Sequence, residues 1–360
     1  MSRVAGIRPH VFNVSDKTNW FFVAVETQDG SMAWGEASLN GREAALEAAT
    51  LRCAGAVQGL TIQQALLALL AAREGLPVHA GLGPLVRKAV PVYANINRAT
   101  VERSPQGFVA TAQRAASRGY SAFKAAPFDG VTPANAGTRE GQRLIGHGID
   151  CLLALRGALD PAARLMVDCH WRFDEVRALD VLRALAPARL HWFECPLPET
   201  AANWPALRRI RAAARDQGVL LAAAETQVGV AAFQTLFDEG LYDVVMPDVK
   251  YCGGPREMLA IAERAAEAGV RFSPHNPTGP VCTQHSLHVA GVAPECEALE
   301  MQFDESPLYE QLVARDLPQI VNGTLAVPSG PGLGLVPDEA VLVAHPYRPV
   351  PLGIEAVGPR

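Results

Sequence analysis

The sequence lacks the cysteine pattern of a disulfide scaffold or a zinc-binding protein. Its seven cysteines are an odd number among 360 residues, and no two of them have CxxC spacing. Disulfide-stapled folds and zinc sites usually show paired, regularly spaced cysteines. We therefore expect free cysteines, and we expect the protein to work in a reducing cytoplasm.

Long apolar runs and a strong charge of either sign are also missing. No run approaches the ~20 apolar residues that cross a bilayer, and residues 1–6 lack the charged start and apolar block of a secretory signal. The net charge of −5 gives no electrostatic reason to expect nucleic acid or an anionic membrane as a partner. Membrane proteins and nucleic-acid-binding proteins are therefore not the expected classes.

The sequence does contain enough apolar material for a large globular core. Hydrophobic residues make up 49% and charged residues 19% of the chain, as in ordinary globular proteins. Residues 20–27 are rich in aromatic and β-branched side chains, which is typical of a strand. Residues 28–30 supply a turn and residues 31–36 form a second strand that runs back, which indicates an antiparallel sheet. An Ala/Leu-rich helical stretch over residues 42–74 follows. We predict an N-terminal α+β domain over residues 1–90.

Beyond this domain, short apolar runs alternate with helical stretches. Eight runs predict eight strands, at residues 90–96, 122–126, 165–167, 190–193, 220–224, 244–246, 270–272 and 298–301. Alternating strands and helices indicate a parallel sheet, and eight strands over this length match a (β/α)8-type barrel. The predicted fold class is α/β, with the barrel at residues 91–325. A turn-rich C-terminal segment, residues 326–360, is predicted to pack back on the N-terminal domain.

An ionisable residue stands at the end of each of the last six strands of the predicted barrel or just after it. These residues are Asp168, Glu194, Glu225, Asp248, His275 and Glu300. Active sites of such barrels lie at the C-terminal ends of the strands, so the six groups should converge on one mouth. Clustered carboxylates repel each other, and Mg²⁺ relieves this repulsion because it prefers oxygen ligands. We predict Mg²⁺ as cofactor, with Asp168, Glu194 and Glu225 as its ligands.

These motifs resemble the enolase superfamily over nearly the whole chain. Asp168, Glu194 in Phe-Glu-Cys-Pro and Glu225 in Ala-Ala-Ala-Glu-Thr match the metal ligands of that superfamily. Trp-Gly-Glu-Ala at 34–37 is similar to the strand end of its capping domain, and Pro-Gly-Leu-Gly at 331–334 is similar to its C-terminal segment. The resemblance implies that the N-terminal domain caps the barrel mouth.

Two motifs are similar to the mandelate racemase subgroup, within which the galactonate dehydratase-like acid-sugar dehydratases fit best. Asp248 stands five residues before Gly253-Gly254, where the muconate cycloisomerase subgroup has a lysine. Ser-Pro-His-Asn-Pro around His275 resembles the histidine motif of the subgroup. An aspartate beside His275 orients the ring and supports its positive charge after proton uptake, so we expect a His275–Asp248 dyad.

The second-strand motif bears on the type of proton chemistry. Racemases and cycloisomerases of the superfamily carry Lys-x-Lys there, with the second lysine as a base, whereas this chain has Lys124 and then Ala126. The resemblance implies an electrostatic or carboxylate-binding role for Lys124. His170, in Asp-Cys-His, resembles the acid of galactonate-type dehydratases. Glu300 matches the eighth-strand acid that hydrogen-bonds the developing oxyanion in the superfamily.

We therefore predict a hydro-lyase that dehydrates a hydroxylated carboxylate, namely an acid sugar, to a 2-keto-3-deoxy acid. His275 takes the α-proton, Mg²⁺ stabilises the ene-diolate, and His170 helps the β-hydroxyl leave. One alternative is a racemase or epimerase that uses His275 with Lys124 or another base. A second alternative is a non-catalytic barrel that binds a metal or a sugar acid.

The expected partner is a small-molecule carboxylate substrate, and four residues are predicted to contact it. They are Asn95, Asn97, Trp20 and Arg172. The helical part of the cap is short, which predicts a more open mouth or one completed by a neighbouring subunit, and we expect a homo-oligomer. Lys-Ala-Ala-Pro at 124–127 departs from the Lys-x-Asn of close galactonate dehydratases.

Overall fold

The structure is a computed structural model that describes residues 3–39, 41–54, 59–313 and 317–350. Its first part is an antiparallel sheet whose strands are β1 (Val4–Ser15), β2 (Thr18–Thr27) and β3 (Met32–Glu36). Helices α1 (Glu43–Ala54) and α2 (Leu60–Arg73) follow this sheet. The predicted helical stretch is thus present as two helices, and residues 55–58 between them lie outside the described residues.

The second part is a barrel of eight parallel strands. They are β4 (Ala89–Asn95), β5 (Ala122–Ala125), β6 (Arg164–Asp168), β7 (Trp192–Glu194), β8 (Leu220–Ala223), β9 (Val244–Val245), β10 (Arg271–Phe272) and β11 (Leu299–Gln302). Strands β4 to β10 pair in chain order and β11 returns to pair with β4. Backbone hydrogen bonds from Glu297 to Phe272 and from Glu300 to Pro274 link the last two strands. The predicted α/β fold with a (β/α)8-type barrel is confirmed.

Helices surround the barrel and cover the outer face of its strands. They are α3 (Pro105–Ser117), α4 (Arg139–Ala158), α5 (Glu175–Ala184), α6 (Trp204–Arg215), α7 (Gly229–Asp238), α8 (Pro255–Glu267) and α9 (Pro280–Val292). The large core cluster between helices and strands includes Phe108, Leu152, Leu207 and Ile261. Among the helices that the structure describes, none is both long and apolar enough to cross a membrane.

The end of the described chain contacts the cap. After α10 (Leu308–Gln311), strand β12 (Thr324–Ala326) pairs antiparallel with β4, and α11 (Glu339–Ala344) comes last. The backbone of Asn13 in β1 donates to the carbonyl of His345, and that of Val78 donates to Gly332. The domain boundaries at residues 90 and 325 stay a prediction. Residues 351–360 of the predicted C-terminal segment lie outside the described residues.

A buried carboxylate joins the cap to the loop that follows β10. Glu36, the last residue of β3, is fully buried. Its oxygens accept hydrogen bonds from Thr278 Oγ1 at 2.5 Å, from the Gly279 backbone at 2.8 Å and from the Cys282 backbone at 2.9 Å. Helix α9 begins at Pro280, so this carboxylate also satisfies N–H groups of its first turn. Glu36 therefore connects the cap to the segment that carries His275.

We expect Glu36→Ala to destabilise the protein by about 3 kcal/mol, because the substitution leaves buried donors without an acceptor. The free energy of unfolding from urea titrations measures this loss. Glu26→Ala is the matched control, since Glu26 lies on the same sheet but is 40% exposed in a surface pair with Arg8, and it should change stability by less than about 1 kcal/mol. Equal stabilities for the two variants would contradict this role of Glu36.

Candidate active site

A cavity of about 360 Å³ opens at the C-terminal ends of the barrel strands. The cap contributes Trp20, Ser38 and Leu39 to its wall. The sequence-predicted residues that line it are Trp20, Asn95, Lys124, Asp168, His170, Glu225 and His275. The fold thus brings most of the predicted site to one place between barrel and cap.

A layer of buried side chains fills the barrel and determines where the site residues point. The layer consists of Tyr93, Ala122, Met166, Trp192, Ala222, Val244, Met246 and Ala298. Residues i and i+2 of a strand face the same side. Six site residues stand two positions after a member of this layer, namely Asn95, Lys124, Asp168, Glu194, Asp248 and Glu300. The pleat that buries the apolar layer therefore directs these polar side chains toward the mouth.

Asp168 and Glu194 form the centre of the acidic cluster. They end neighbouring strands and are direct partners in the register of β6 and β7. One oxygen of each carboxylate and the sulfur of Cys195 all lie within 4.8 Å of one another. Burial raises the pKa of the Cys195 thiol well above its usual value, so it stays protonated and is a poor ligand for a hard cation. The two carboxylates are the ligands that suit Mg²⁺ in this cluster.

Glu225 reaches the site by a local change of backbone direction, because it falls outside the two-residue period of β8. Ala224, directly before it, has a φ of 82°, in the left-handed region that is costly for a residue with a Cβ. Glu225 Oε2 lies 4.0 Å from Cys195 Sγ and 3.6 Å from His275 Nε2. Glu225 therefore stands beside the Asp168–Glu194 pair, on the side toward His275.

The cluster carries more negative charge than its protein neighbours compensate. Burial raises the pKa of Glu194 well above its usual value, and the charges of Asp168 and Glu300 raise it further. Burial likewise raises the pKa of Glu225, with Asp168 and Glu194 adding to it. For Asp168, burial opposes the charge, but His170 and Lys124 bring the pKa below its usual value. A bound divalent cation would compensate this excess negative charge, so the residues fit Mg²⁺.

Lys124 is the buried cation of the cluster. Its Nζ lies 2.6 Å from Glu194 Oε1, 3.0 Å from Glu300 Oε1 and 3.9 Å from Asp168 Oδ2. Burial alone would lower the pKa of Lys124, but these carboxylates raise it well above its usual value. Lys124 is therefore a permanent positive charge rather than a base.

Glu300 is fully buried and paired from three directions. Besides Lys124, it accepts hydrogen bonds from Asn95 Nδ2 at 2.7 Å and from the Asn276 backbone at 3.0 Å. Burial opposes its charge, but Lys124, His275 and these hydrogen bonds bring the pKa of Glu300 below its usual value. Glu300 is thus ionised, and it borders the site through Asn95 and Lys124.

His275 and Asp248 are hydrogen-bonded, with 2.8 Å between His275 Nδ1 and Asp248 Oδ2. Burial opposes the charge of Asp248, but Lys250 and His275 bring its pKa below its usual value. An ionised carboxylate only accepts, so Nδ1 carries the hydrogen of this bond. In the neutral imidazole the lone pair is then on Nε2, the nitrogen that faces Glu225.

His170 contacts Asp168 through both its side chain and its backbone. Its Nε2 is 2.9 Å from Asp168 Oδ2, and its backbone donates to Asp168 Oδ1 at 2.9 Å. The backbone φ is 48° at His170 and 56° at Trp171. Uncommon left-handed residues of this kind cluster at functional sites. The structure therefore fixes His170 against a predicted metal ligand and at the cavity wall.

The four predicted substrate contacts divide into two groups. Trp20 and Asn95 line the cavity, whereas Asn97 and Arg172 are not among its lining residues. Asn97 Oδ1 accepts a hydrogen bond from Arg103 at 2.8 Å. Arg172 is buried and donates to the carbonyl of Phe128. Both of these side chains are therefore engaged in holding loops at the barrel rim.

Sequence reasoning missed Lys250, which lines the cavity two residues after Asp248. Its Nζ lies 2.7 Å from Asp248 Oδ2, the oxygen that also bonds His275. The composition contained a signal for it: of the 32 Lys and Arg residues only four are lysines, namely Lys17, Lys88, Lys124 and Lys250. In a chain so dominated by arginine, two lysines at strand ends of a barrel are candidates for the site.

Comparison with known proteins gives a consistent set of relatives. A family model described as "Enolase C-terminal domain-like" matches residues 107–341. The D-gluconate dehydratase of Thermoproteus tenax is 31% identical over 300 residues, which cover 82% of this chain and 58% of that relative. The D-galactonate dehydratase of Xanthomonas axonopodis pv. citri (strain 306) is 27% identical over 358 residues, 90% of both chains. The crystal structure of a mandelate racemase/muconate lactonizing enzyme-like protein from Rubrobacter xylanophilus DSM 9941 superposes with a TM-score of 0.84 at 25% identity, over 97% of this chain and 99% of that one.

Proposed function

Because the chain belongs to the enolase C-terminal domain-like family, we propose that it is a Mg²⁺-dependent dehydratase of a hydroxylated carboxylate, an acid sugar. The product is a 2-keto-3-deoxy acid. The observation that carries this proposal is the arrangement of a His–Asp dyad and a second histidine around one acidic cluster in a single cavity. The dehydratase names of two relatives support the reaction class.

Asp168, Glu194 and Glu225 are the residues that would hold the metal. When bound, Mg²⁺ withdraws charge from the substrate carboxylate and makes the neighbouring C–H more acidic. Cys195 stays outside the ligand set because its thiol is protonated. The positive charge of Lys124 beside Glu194 and Glu300 supplies a further attraction for a carboxylate substrate.

His275 is proposed as the base that takes the α-proton. The hydrogen bond to Asp248 leaves Nε2 as the accepting nitrogen, and the same carboxylate stabilises the imidazolium that forms. Glu225 Oε2 at 3.6 Å from Nε2 places this nitrogen beside a proposed metal ligand. The base thus stands next to the site where the positive charge of Mg²⁺ would make the α-proton more acidic.

His170 is proposed as the acid that protonates the leaving β-hydroxyl. The ionised Asp168 accepts a hydrogen bond from Nε2 of His170, which leaves Nδ1 as the nitrogen that would give a proton to the leaving hydroxyl. His170 and His275 both line the cavity. An acid and a base at one centre is what dehydration requires.

We expect His170→Asn to lower keto-acid formation by about 100-fold or more while α-proton exchange persists, because only the step that uses the acid is removed. Deuterium incorporation from D₂O, followed by NMR on the recovered substrate, measures exchange. Keto-acid formation with Mg²⁺ measures dehydration. Unchanged turnover in the variant would assign the acid to another residue.

The racemase or epimerase alternative needs a base on each face of the α-carbon. Lys124 is unsuited to that role, because Glu194 and Glu300 keep it protonated, and residue 126 is alanine. Screening acid sugars, including D-gluconate and D-galactonate, for keto-acid formation tests the proposal. Epimers labelled at the α-carbon without any keto acid would overturn it in favour of the alternative. If no acid turns over and none exchanges its α-proton, the result favours the second alternative, a non-catalytic barrel that binds a metal or a sugar acid.

A further inference from the structure

Lys250 is a buried lysine in the wall of the cavity that the proposed proton transfers do not use. It follows β9 by five residues, and its side chain is 2% exposed. It lines the cavity together with His275 and Tyr251. Asp248, its partner, is fully buried and is not a lining residue. Of this pair, only Lys250 is in a position to touch a molecule in the cavity.

The ammonium group has more donors than the described residues accept. It has three N–H groups, and among the described residues its one oxygen acceptor is Asp248 Oδ2 at 2.7 Å. The ring of Tyr251, whose centroid lies 5.1 Å from Nζ, supplies a cation–π contact. Buried charges are normally satisfied by hydrogen bonds. The remaining donors of Lys250 therefore need an oxygen acceptor, and the cavity is the space where one can be bound.

Lys250 also stays positively charged at neutral pH. Burial alone would lower its pKa, but the adjacent Asp248 raises it well above the usual value for lysine. It is accordingly a fixed donor rather than a proton shuttle. Its position is tied to the base, since Nζ and His275 Nδ1 both bond the same oxygen of Asp248.

We propose that Lys250 is a substrate-binding residue that donates to a hydroxyl or carboxylate oxygen of the acid on the His275 side of the cavity. The chemical class of the ligand rests on the proposed function, whereas the contact itself rests on the donor geometry. A polyhydroxy acid offers such oxygens on several carbons, and an aliphatic acid does not. Lys250 thus contributes to selection of oxygen-rich substrates.

The test measures binding in a protein that cannot turn the ligand over, in the background His275→Asn. In this background Lys250→Met is combined with Asp248→Asn, so that neither partner is left as an unpaired buried charge. D-gluconate and D-galactonate are titrated by calorimetry with Mg²⁺ present. We expect at least about tenfold weaker binding of the acid that binds better, the usual loss for a hydrogen bond to a charged group. Titration with Mg²⁺ alone should be unchanged.

Two controls separate a contact from general damage. Lys88→Met in the same background removes an exposed lysine and should leave binding unchanged. Lys250→Leu with Asp248→Asn also removes the charge and every donor, so it replaces the methionine variant if that variant fails to fold, and the same loss is expected. Equal affinities of the His275→Asn background and the variants that also lack Lys250, or no binding of either acid to that background, would overturn the proposed contact. Weaker binding in a protein whose wild type forms no keto acid would leave the contact standing and overturn the dehydratase function.

Discussion

Replacing His275 with asparagine is expected to lower both α-proton exchange and turnover by about 10²- to 10⁴-fold, the usual contribution of a general base. Asparagine keeps an amide near Asp248 but has no nitrogen that accepts a proton. The exchange rate and the turnover rate should decrease together, because dehydration starts from the deprotonated substrate that the base generates. This separates His275 from His170, whose loss is expected to spare exchange.

Exchange in D₂O, keto-acid formation and Mg²⁺ binding are the three measurements for this variant. Mg²⁺ affinity should change little, since His275 is not among the proposed ligands. His345→Asn is the control, because His345 hydrogen-bonds a backbone carbonyl next to the cap and does not line the cavity. Exchange that continues at the wild-type rate in His275→Asn would remove His275 as the base.

The barrel was predictable because two signals coincide along the sequence. Each predicted apolar run overlaps a strand of the structure, and the ends agree within a few residues. A strand that is buried on both faces leaves a nearly continuous apolar run, and the residue after such a run stands at the mouth. Asp168 and Glu194 follow this rule directly, and Asp248 stands one residue further on, after Pro247. The order of the strands is therefore enough to predict that these side chains converge.

Other features depend on backbone torsions and on contacts far apart in the chain. Glu225 enters the site because Ala224 adopts a left-handed conformation. An alanine in the sequence does not predict this conformation. Glu36 meets the start of α9 more than 240 residues later in the chain. The division of the cap helices and the engagement of Asn97 with Arg103 likewise depend on tertiary packing. No pattern of periodicity encodes such pairings.

Removing the negative charge of Glu194, at the centre of the acidic cluster, is expected to have a large effect on Mg²⁺ binding. We expect Glu194→Gln to weaken Mg²⁺ binding by at least about 100-fold, because changes even to the outer partners of metal ligands cost 10- to 100-fold. Glutamine has nearly the same shape, so it can keep the contact with Trp192 Nε1, which donates to Glu194 Oε2 at 2.8 Å. What it removes is a negative charge that is fully buried. Keto-acid formation should fall with the loss of bound metal.

Thermal stability offers a measurement of this effect that does not depend on activity. A ligand that binds only the folded state raises the unfolding midpoint in proportion to the logarithm of its concentration over Kd. The wild-type midpoint should therefore rise with added Mg²⁺ and fall after chelation, whereas Glu194→Gln should respond to neither. Glu140→Gln, at a side chain that is 63% exposed on α4, should behave as the wild type. If Glu194→Gln keeps the full Mg²⁺ response, the charge that Lys124 pairs at 2.6 Å is not the one that holds the metal.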